Sequence, residues 1–416
     1  MNTANAYYDI IIIGGGAAGC VAALARPAPP RRVLIIEKNA ALMKKLAITG
    51  KGRCNLTNNR DAEDFLKRVP KNAAFLRSAI SRFPPVETMA FFESLGVELK
   101  TERGGRVFPV SDKSGDVIAA LNKRLKESNA ETVTARAEEL IVENAAVKGV
   151  KCDDGVYYSE KVLLATGGLS YPKTGSTGDG YEIAKKAGHA VTPLKPSLVP
   201  LVIVEDCGSA AGLTLKNARL TLTKDGVGVF SGQGEMLFTR FGVSGPLALS
   251  ASSYITEPEK GGYALLTDFK PALDEKTLDA RVLRDFGENK NRALKNALRG
   301  LLPPKIIGMF IRRLGISPDK RVNEITREER RRLTALLKRF PLAVKAFRPI
   351  EEAVITDGGV DVKEIDPKTM RSKLVEGLYF AGEIIDVAGL TGGYNLQIAF
   401  STAFAAGTAM RNGITR

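Results

Sequence analysis

The chain has 416 residues, of which 44% are hydrophobic and 26% are charged, a balance typical of an ordinary globular protein. Its length suggests two or three domains, and no apolar run approaches the roughly 18 residues that a membrane span requires. The net charge of +15 predicts either a solvated basic surface or anionic partners such as nucleic acid, acidic lipid or phosphorylated small molecules.

The four cysteines are scattered and form no C-x-x-C pair; they are Cys20, Cys54, Cys152 and Cys207. This spacing argues against a structural zinc site and against a disulfide framework, so no metal is predicted. Unpaired thiols fit a reducing cytoplasm. The opening residues, MNTANAYYD, lack the basic and apolar regions of a signal peptide, so we expect a cytoplasmic protein.

A strand, a glycine turn and a helix are predicted in sequence at residues 9–19, DIIIIGGGAAG. The four isoleucines predict a strand that is buried on both faces. Gly14, Gly16 and Gly19 occupy the glycine positions of a G-x-G-x-x-G motif. Gly14 allows the tight turn, Gly16 lets backbone N–H groups approach a pyrophosphate, and Gly19 lets the helix pack closely on the strand.

The predicted helix, 17–25, begins at Ala17 and Ala18, whose N–H groups would face the phosphates. A second strand at 32–36 leads into Glu37, roughly 20 residues beyond the glycines, where an acid can bind a ribose hydroxyl. Together these features predict adenine dinucleotide binding. Lys38, the residue after Glu37, is a further candidate for cofactor binding.

Residues 44–58, KKLAITGKGRCNLTN, combine cations and hydrogen-bonding side chains with two glycines that interrupt any helix. We interpret them as a loop that runs along an extended phosphate-bearing ligand; an ordinary surface loop is the alternative. A lone cysteine has no partner for dithiol exchange, so packing or a polar contact is its predicted role. The candidate cofactor contacts are Lys45, Thr49, Gly50, Gly52, Arg53, Cys54 and Asn55.

The run TGKGRCNLTN, 49–58, resembles the signature that follows the dinucleotide motif in the BaiN/YhiN-type flavoproteins. These are described as NAD(P)/FAD-dependent oxidoreductases, and some as aminoacetone oxidases. The resemblance continues through 104–117, 165–189, 234–249 and the C-terminal block, and so covers nearly the whole chain. It implies an α/β, Rossmann-like FAD-binding domain of glutathione-reductase type. The proline-rich RPAPP after the first helix departs from the family pattern.

Residues 65–95 predict helices broken at Pro84-Pro85, and 132–150 predict strands. The resemblance implies that the backbone of Ala137 meets the adenine. A later strand ends in small residues, as expected where backbone and cofactor touch. The resemblance assigns this turn to the phosphate and ribityl region of FAD: Ala165, Thr166, Gly167 and Gly168.

A polar, glycine-spaced loop at 170–180 then leads into a helix. Tyr171 and Lys173 are candidates to face flavin or substrate. Arg240 is a further catalytic candidate, named only because of the sequence motif in which it stands. A loop that merely caps the helix is the alternative. His189, the only histidine, follows a helix-ending glycine, which favours a capping role over acid–base catalysis.

Prolines at 193, 196 and 200 predict a crossing between domains. Strand-like pieces at 213–223, 227–230, 235–239 and 263–268 predict a small, barrel-like β domain. Residues 271–339 predict a helical lid or subdomain that supplies much of the excess of basic residues. Contact with RNA is the more specific alternative for this segment. The predicted domains are an FAD-binding domain at 1–190 and 353–416, a β domain at 191–270 and 340–352, and a helical subdomain at 271–339.

The C-terminal block, GLYFAGEIIDVAGLTGGYNLQIAFSTAFAAG, predicts a buried strand, a glycine turn and a final helix. By resemblance, its Gly-Glu pair stands where related flavoproteins carry the Gly-Asp that holds the ribityl chain. The N-terminus of the final helix would stabilise the negative charge of a reduced flavin. The candidates here are Gly382, Glu383, Gly392, Gly393, Tyr394 and Asn395, with Gln397 as a further hydrogen-bonding side chain.

No second nucleotide-binding unit and no dithiol pair are found, which argues against a disulfide reductase. The first hypothesis is an FAD-dependent oxidoreductase that uses hydride transfer at flavin N5, with NAD(P)H-linked reduction of a C=C or C=O group in a small organic substrate. Oxidation of a small, aminoacetone-like amine is one alternative. An RNA-binding or tRNA-modifying flavoprotein is another, and a flavin-binding protein without turnover is the third.

Overall fold

The computed structural model describes residues 6–25 and 32–412. They form two compact units, one made of the residues up to 197 together with those from 353 onward, the other of residues 198–352. The proline-rich departure from the family pattern, at 26–30, lies outside the described residues.

Strands and helices alternate only at the start of the first unit, whereas the second unit is a run of strands interrupted by helices. The strands are β1 Ile10–Ile13, β2 Val33–Glu37, β3 Thr57–Asn58, β4 Leu99–Thr101, β5 Arg106–Pro109, β6 Glu131–Thr134, β7 Ala137–Glu143, β8 Ala146–Cys152, β9 Gly155–Tyr158, β10 Val162–Leu164, β11 Lys195–Ser197, β12 Leu201–Ile203, β13 Thr214–Lys224, β14 Val227–Phe238, β15 Gly242–Ser244, β16 Tyr263–Asp268, β17 Phe340–Phe347, β18 Ile355–Asp357 and β19 Leu378–Phe380. The α-helices are α1 Ala17–Leu24, α2 Lys44–Ile48, α3 Ala62–Leu66, α4 Arg77–Arg82, α5 Pro85–Ser94, α6 Ser114–Glu127, α7 Asp179–Lys186, α8 Gly245–Ser252, α9 Glu275–Glu288, α10 Leu294–Ala297, α11 Pro304–Leu314, α12 Arg327–Lys338 and α13 Tyr394–Asn412.

The centre of the first unit is a five-stranded sheet in the order β19-β10-β1-β2-β6. Every neighbouring pair is parallel, and all four residues of β1 are buried, as their isoleucines predict. The carboxyl ends of these strands therefore lie along one edge. The chain moves from β1 to β2 on one side and to β10 on the other, which makes β1 and β10 the switch point where such sheets bind ligands. The predicted fold class is confirmed.

The interpretation of 44–58 as a plain loop is wrong in detail. Residues Lys44–Ile48 form α2, a 3-10 turn covers Thr49–Gly52, and Thr57–Asn58 form β3. The helix ends at Ile48, just before Gly50 and Lys51, both of which adopt left-handed backbone angles. β3 then pairs with β5 in a small antiparallel sheet, which the glycine-rich pattern did not indicate.

The second unit contains a closed barrel in the order β12-β15-β14-β13-β16-β17. Its longest strand, β14, replaces the two separate pieces predicted at 227–230 and 235–239. The strand is continuous because it pairs with β13 from Lys224↔Val227 to Thr214↔Leu237. These partners satisfy the backbone groups of the intervening serine, glycine and glutamine residues, which have little strand propensity of their own.

Helices α9, α11 and α12 share one hydrophobic core with the barrel. Phe269, Phe310 and Phe340 mark the junction, since Phe310 stacks on Phe340 at 6.0 Å between ring centroids and Phe269 lies 5.6 Å from Phe340. The unit begins after Ser197, because β11 pairs with β18 of the first unit. The division of residues 198–352 into a β domain and a helical subdomain stays a prediction.

His189 is a buried side chain in the first unit. Its Nδ1 lies 3.0 Å from a Glu364 carboxylate oxygen, its Nε2 lies 2.8 Å from the Ser372 hydroxyl, and its ring packs edge-on against Phe380 at 4.8 Å. Burial lowers the pKa of His189 below its ordinary value, and the Glu364 carboxylate opposes this only in part. Both ring nitrogens are satisfied internally, in agreement with a structural role.

This environment predicts a pH dependence of folding. Because the pKa of His189 is lowered in the folded state, the unfolded chain takes up the proton first, so stability is lost as pH falls through the ordinary histidine value of about 6.5. Urea midpoints measured from about pH 8 down to about pH 5.5 should fall for the wild type. In His189→Gln, the decrease of the urea midpoint with falling pH that is due to this histidine should be absent. An equal decrease in both proteins would contradict the prediction.

Candidate flavin site

Gly14 joins the ends of three strands of the parallel sheet. Its φ is +105°, and a methyl group placed on it would lie 2.5 Å from the Ala165 carbonyl oxygen. Its N–H donates to the Ile36 carbonyl at 2.9 Å. A methyl group on Gly19 would overlap the Gly14 carbonyl oxygen. Only glycine therefore fits at either position, for the turn and for helix packing respectively.

Gly16 differs from these two glycines because it faces open space. A methyl group there would meet no atom within 4 Å, and its backbone is extended rather than left-handed. α1 begins immediately after it, at Ala17 and Ala18, with no side-chain cap on its first N–H groups. An uncapped helix N-terminus beside open space fits the pyrophosphate of a dinucleotide.

Glu37 ends β2 beside this turn. One carboxylate oxygen accepts from the Gly15 N–H at 2.9 Å, and the other accepts from the backbone and side-chain nitrogens of Asn39 at 2.9 and 2.7 Å. The Ala135 N–H donates to the Glu37 carbonyl at 3.1 Å, and Ala137 follows at the start of β7. Glu37 and the strand predicted to meet adenine are thus adjacent at the sheet edge.

Lys38 forms an ion pair with Asp179 at 2.8 Å and also donates to Thr177. Arg136 lies 3.5 Å from the same carboxylate. Burial opposes ionisation of Asp179, but the hydrogen bonds from Lys38 and Thr177 outweigh it and hold the pKa of that carboxyl below its usual range. Lys38 therefore joins β2 to the start of α7.

Arg53 is neutralised within the protein. Its guanidinium contacts Asp112 at 2.6 Å and Glu102 at 2.5 Å, and it lies 4.1 Å above the ring of Phe108. Cys54 is fully buried, and burial raises the pKa of its thiol to about 12. Both residues build the turn that carries Gly50 and Gly52, rather than offering a free charge or a reactive sulfur.

The same segment contacts the start of α13. Assigned by its hydrogen bonds, the Asn55 amide oxygen accepts from the Gly393 N–H at 3.0 Å. Asn58 donates to the Gly392 carbonyl at 2.9 Å, and a methyl group on Gly393 would overlap the Thr57 carbonyl. The early polar segment and the C-terminal glycines therefore form one structure.

Glu383 is the centre of a charged cluster that we call the Glu383 cluster: Lys45, Ser170, Thr356 and Glu383. The Lys45 ammonium lies 2.6 Å from one carboxylate oxygen, and the Ser170 hydroxyl and Thr356 N–H lie 3.1 and 2.8 Å from the other. Lys45 also donates to Ser170 at 2.7 Å. Sequence reasoning missed Ser170 and Thr356, whose one available signal is that each stands close to a pair of glycines.

The two ends of the chain meet beside this cluster. A methyl group on Gly382 would lie 2.9 Å from the Ala18 methyl group, and one on Gly407 would lie 2.5 Å from the Ala22 carbonyl oxygen. The Gly382 N–H donates to Thr402 at 3.0 Å. Small residues on both helices thus bring α13 against α1, which brings Gly382 next to the phosphate-binding turn.

Side chains at the start of α13 are used internally. Asn395 accepts from the Gly389 N–H at 2.8 Å and donates to its carbonyl at 2.9 Å. Gln397 accepts from Thr57 at 2.6 Å and is fully buried. Tyr394 packs on Phe65 with 5.0 Å between ring centroids. These residues hold the loop before the helix, and any cofactor contact there would come from backbone groups.

The catalytic candidates lie in different places. Tyr171 is half-buried with a left-handed φ of +55°, and its ring centre lies 6.0 Å from the Lys45 ammonium. Lys173 is exposed in a short 3-10 helix, Pro172–Thr174. Arg240 is exposed and belongs to the second unit. Their catalytic roles stay predictions. Ala165, Thr166, Gly167 and Gly168 follow β10 as expected, and a methyl group on Gly168 would overlap the Thr356 hydroxyl.

Two negative findings apply to the described part of the chain. No group of three or more histidine, cysteine, aspartate or glutamate side chains there is arranged to hold a metal ion. No helix there is both long and apolar enough to cross a bilayer.

An uncapped glycine turn at the switch point of a parallel sheet, closed by a C-terminal strand and helix, defines a dinucleotide-binding flavoprotein of Rossmann type. The chain belongs to the HI0933-like family, whose Rossmann-domain model matches residues 8–409. It is an FAD-dependent oxidoreductase by that membership, as the resemblance in the early polar segment implied.

Two relatives of known activity cover nearly the whole chain. The 3-dehydro-bile acid delta(4,6)-reductase of Clostridium scindens is 30% identical over 403 residues, which make up 96% of this chain and 98% of that protein. The ribosomal RNA dihydrouridine synthase of Escherichia coli is 31% identical over 404 residues, 96% of each chain.

Solved structures share the fold at low identity. The 3-ketosteroid delta1-dehydrogenase of Sterolibacterium denitrificans superposes with a TM-score of 0.54 at 14% identity, covering 98% of this chain and 100% of that one. The 3-ketosteroid-delta4-(5alpha)-dehydrogenase of Rhodococcus jostii gives 0.53 at 12% identity, with coverage of 98% and 97%. At such identities the likeness concerns the fold alone.

Proposed function

We propose that this protein reduces a carbon–carbon double bond conjugated to a carbonyl group, with NAD(P)H as the electron source. The observation that carries the proposal is the near-complete alignment to two relatives named for such reductions. One is named for a delta(4,6) reduction in a 3-oxo bile acid, and the other for making dihydrouridine. The shared chemistry is addition of two hydrogens across a polarised C=C bond.

The described residues suit this chemistry. The N-terminus of α1 at Gly16 would hold the pyrophosphate, Glu37 the adenosine ribose, and the Glu383 cluster the ribityl chain. Bound FAD would supply hydride transfer, which no protein side chain can perform. The start of α13 would offset negative charge on the ring system with its backbone N–H groups.

A proton must also reach the substrate, and we propose the Tyr171 hydroxyl as its donor. Tyr171 lies on the turn after β10, next to the Glu383 cluster, and Lys45 stands 6.0 Å from its ring. Lys173 and Arg240 are retained as alternative donors.

Tyr171→Phe should slow turnover roughly 100-fold, as expected for loss of a general acid, while NADPH still reduces the flavin at the wild-type rate. Equal loss in both half-reactions would instead assign Tyr171 to cofactor binding.

The reaction is tested in two half-reactions under anaerobic conditions. NADPH or NADH should bleach the flavin band, and a 3-oxo-delta4 steroid or another conjugated enone should restore it, with two hydrogens gained by the product. Bleaching by aminoacetone but by neither nicotinamide would identify an amine oxidase instead. A purified protein that takes up no FAD would overturn the proposal altogether.

A uridine base in RNA is a second candidate substrate. It is favoured by the basic segment 290–348, which carries seventeen lysines and arginines against four acids. That excess of thirteen accounts for most of the chain's net charge of +15, and a small neutral substrate would not require it. Loss of uridine absorbance in NADPH-treated RNA, confirmed by mass, would separate this substrate from free enones.

A further inference from the structure

The second unit contains a groove along one face of α11. Its volume is about 520 Å³, and it is lined by the successive turns of the helix, including Ile307, Gly308, Ile311 and Arg312. All of its lining residues belong to residues 198–352. None of the residues assigned above to the flavin site takes part in it.

The rim of this groove is basic and only partly neutralised. Lys295, Arg299 and Arg312 line it, and all three are exposed. Lys295 pairs with Asp319 at 2.6 Å. Arg299 and Arg312 make no ion pair with any residue in the described chain. Two uncompensated guanidinium groups therefore stand beside an aliphatic floor.

More cations continue from the rim. Residues 290–295 run beside 318–323, because the Val322 N–H donates to the Arg292 carbonyl at 3.0 Å and the Asn323 N–H donates to the Lys290 carbonyl at 3.2 Å. Arg321 is bridged to Ala293 in the same ladder. Lys290, Arg292 and Arg321 are exposed, so the positive surface extends well beyond what one small anion could contact.

Gly308 gives the groove its depth. It lies inside α11, where glycine is among the least favourable helix residues. A methyl group there would meet nothing closer than the Arg312 guanidinium, at 3.9 Å, so packing within the protein does not require glycine. The absence of a side chain instead leaves the floor between Ile307 and Ile311 open to a ligand.

We propose that this α11 groove binds single-stranded RNA, with phosphates on Arg299, Arg312 and the adjoining cations and a base or ribose on the aliphatic floor. Positively charged grooves follow the backbone of single strands without sequence preference, and here the aliphatic floor offers a base or ribose an apolar contact. The segment's thirteen-charge excess favours a polyanion over a small anionic amphiphile. The biological purpose assigned to this surface rests on the proposed reductase acting on RNA, whereas the binding itself does not.

The test uses the full-length, FAD-loaded protein and fluorescein-labelled oligouridylate in anisotropy titrations at several salt concentrations. Arg299→Glu combined with Arg312→Glu should weaken binding at least about tenfold. It should also lower the slope of log K against log salt by about 0.7 for each phosphate that the variant no longer neutralises. The matched control, Lys216→Glu combined with Lys276→Glu, makes the same charge change at exposed positions of the same unit outside the groove lining and should bind nearly as the wild type does.

Gly308→Leu provides the second arm. It fills the groove without changing charge and replaces a poor helix residue by a good one, so the melting temperature should hold or rise while RNA binding falls at least about tenfold. Equal losses of RNA affinity in the groove and control variants would overturn the proposal, because RNA would then be attracted by the overall positive charge and not bound in the groove. So would a wild type that binds anionic phosphatidylserine vesicles or a carboxylated sterol at the groove but not RNA.

The two proposals fail separately. Wild-type protein that binds RNA through the groove, yet reduces neither uridine nor an enone with NADPH, would retain the binding surface and remove the proposed reaction. Enone reduction without any groove-dependent RNA binding would retain the proposed reaction and remove the RNA-binding surface.

Discussion

Replacing Gly16 with valine is expected to yield a folded protein that binds FAD much more weakly than the wild type. The Gly16 backbone is extended, which valine adopts readily, and a Cβ atom there meets no protein atom within 4 Å. The added side chain would instead occupy the space through which phosphates approach the first N–H groups of α1. Overpacking of this kind costs about 1–3 kcal/mol, so FAD affinity should fall roughly 10- to 100-fold.

The matched control is Gly19→Val, three residues further along the same helix. A side chain there overlaps the Gly14 carbonyl oxygen, so this variant should lose folding stability rather than cofactor alone. Thermal unfolding of the cofactor-free proteins separates the two effects. If Gly16→Val lowers the melting temperature of the cofactor-free protein as much as Gly19→Val does, the space at Gly16 does not accept a side chain and the predicted selective loss of FAD affinity is contradicted.

Glu383→Ala should be among the most destabilising single changes in the first unit. Its carboxylate is partly buried and binds the Lys45 ammonium, the Ser170 hydroxyl and the Thr356 N–H. Removing it leaves a lysine charge and a backbone donor without their acceptor. Loss of one partner of a buried pair costs about 3–5 kcal/mol; with the Glu383 side chain 19% exposed, we expect about 2–3 kcal/mol, a value in the range for hydrogen bonds to charged groups.

Urea unfolding of the cofactor-free protein measures this loss, with Glu63→Ala as the control. Glu63 faces Lys67 at 3.7 Å in a pair that is largely exposed, and such pairs contribute about 0–1 kcal/mol. Glu383→Gln should recover part of the loss, because the amide still accepts a hydrogen bond. Indistinguishable midpoints for Glu383→Ala and Glu63→Ala would show that the Glu383 cluster contributes little to the stability of the first unit.

Local patterns were sufficient for the elements of the nucleotide-binding half. The isoleucine run, the glycine spacing and the acid after the second strand each depend on a few neighbouring residues. The structure places β1, Gly14 and Glu37 as those patterns predict. The final strand and helix could be predicted equally well, because a short apolar run followed by glycines and a long run of small residues fits few other secondary structures.

Patterns failed where long-range pairing determines local structure. β14 is a single strand only because β13 pairs along its length, and Thr57–Asn58 become a strand only beside β5. Arg53 illustrates the same limit for side-chain partners: the polar loop does not indicate that Glu102 and Asp112, from another part of the chain, pair with its guanidinium.

The sequence by itself determined the family, the dinucleotide fold and the positions at which glycine is required, because backbone conformation and hydrophobic periodicity are written into adjacent residues. Only the tertiary structure decided that Lys45, Ser170, Thr356 and Glu383 form one cluster, and that α11 carries a groove with a basic rim. The cluster brings together residues far apart in the chain, and the groove depends on how α11 packs against the segments just before and after it. Both sets of contacts arise from packing, which no local pattern records.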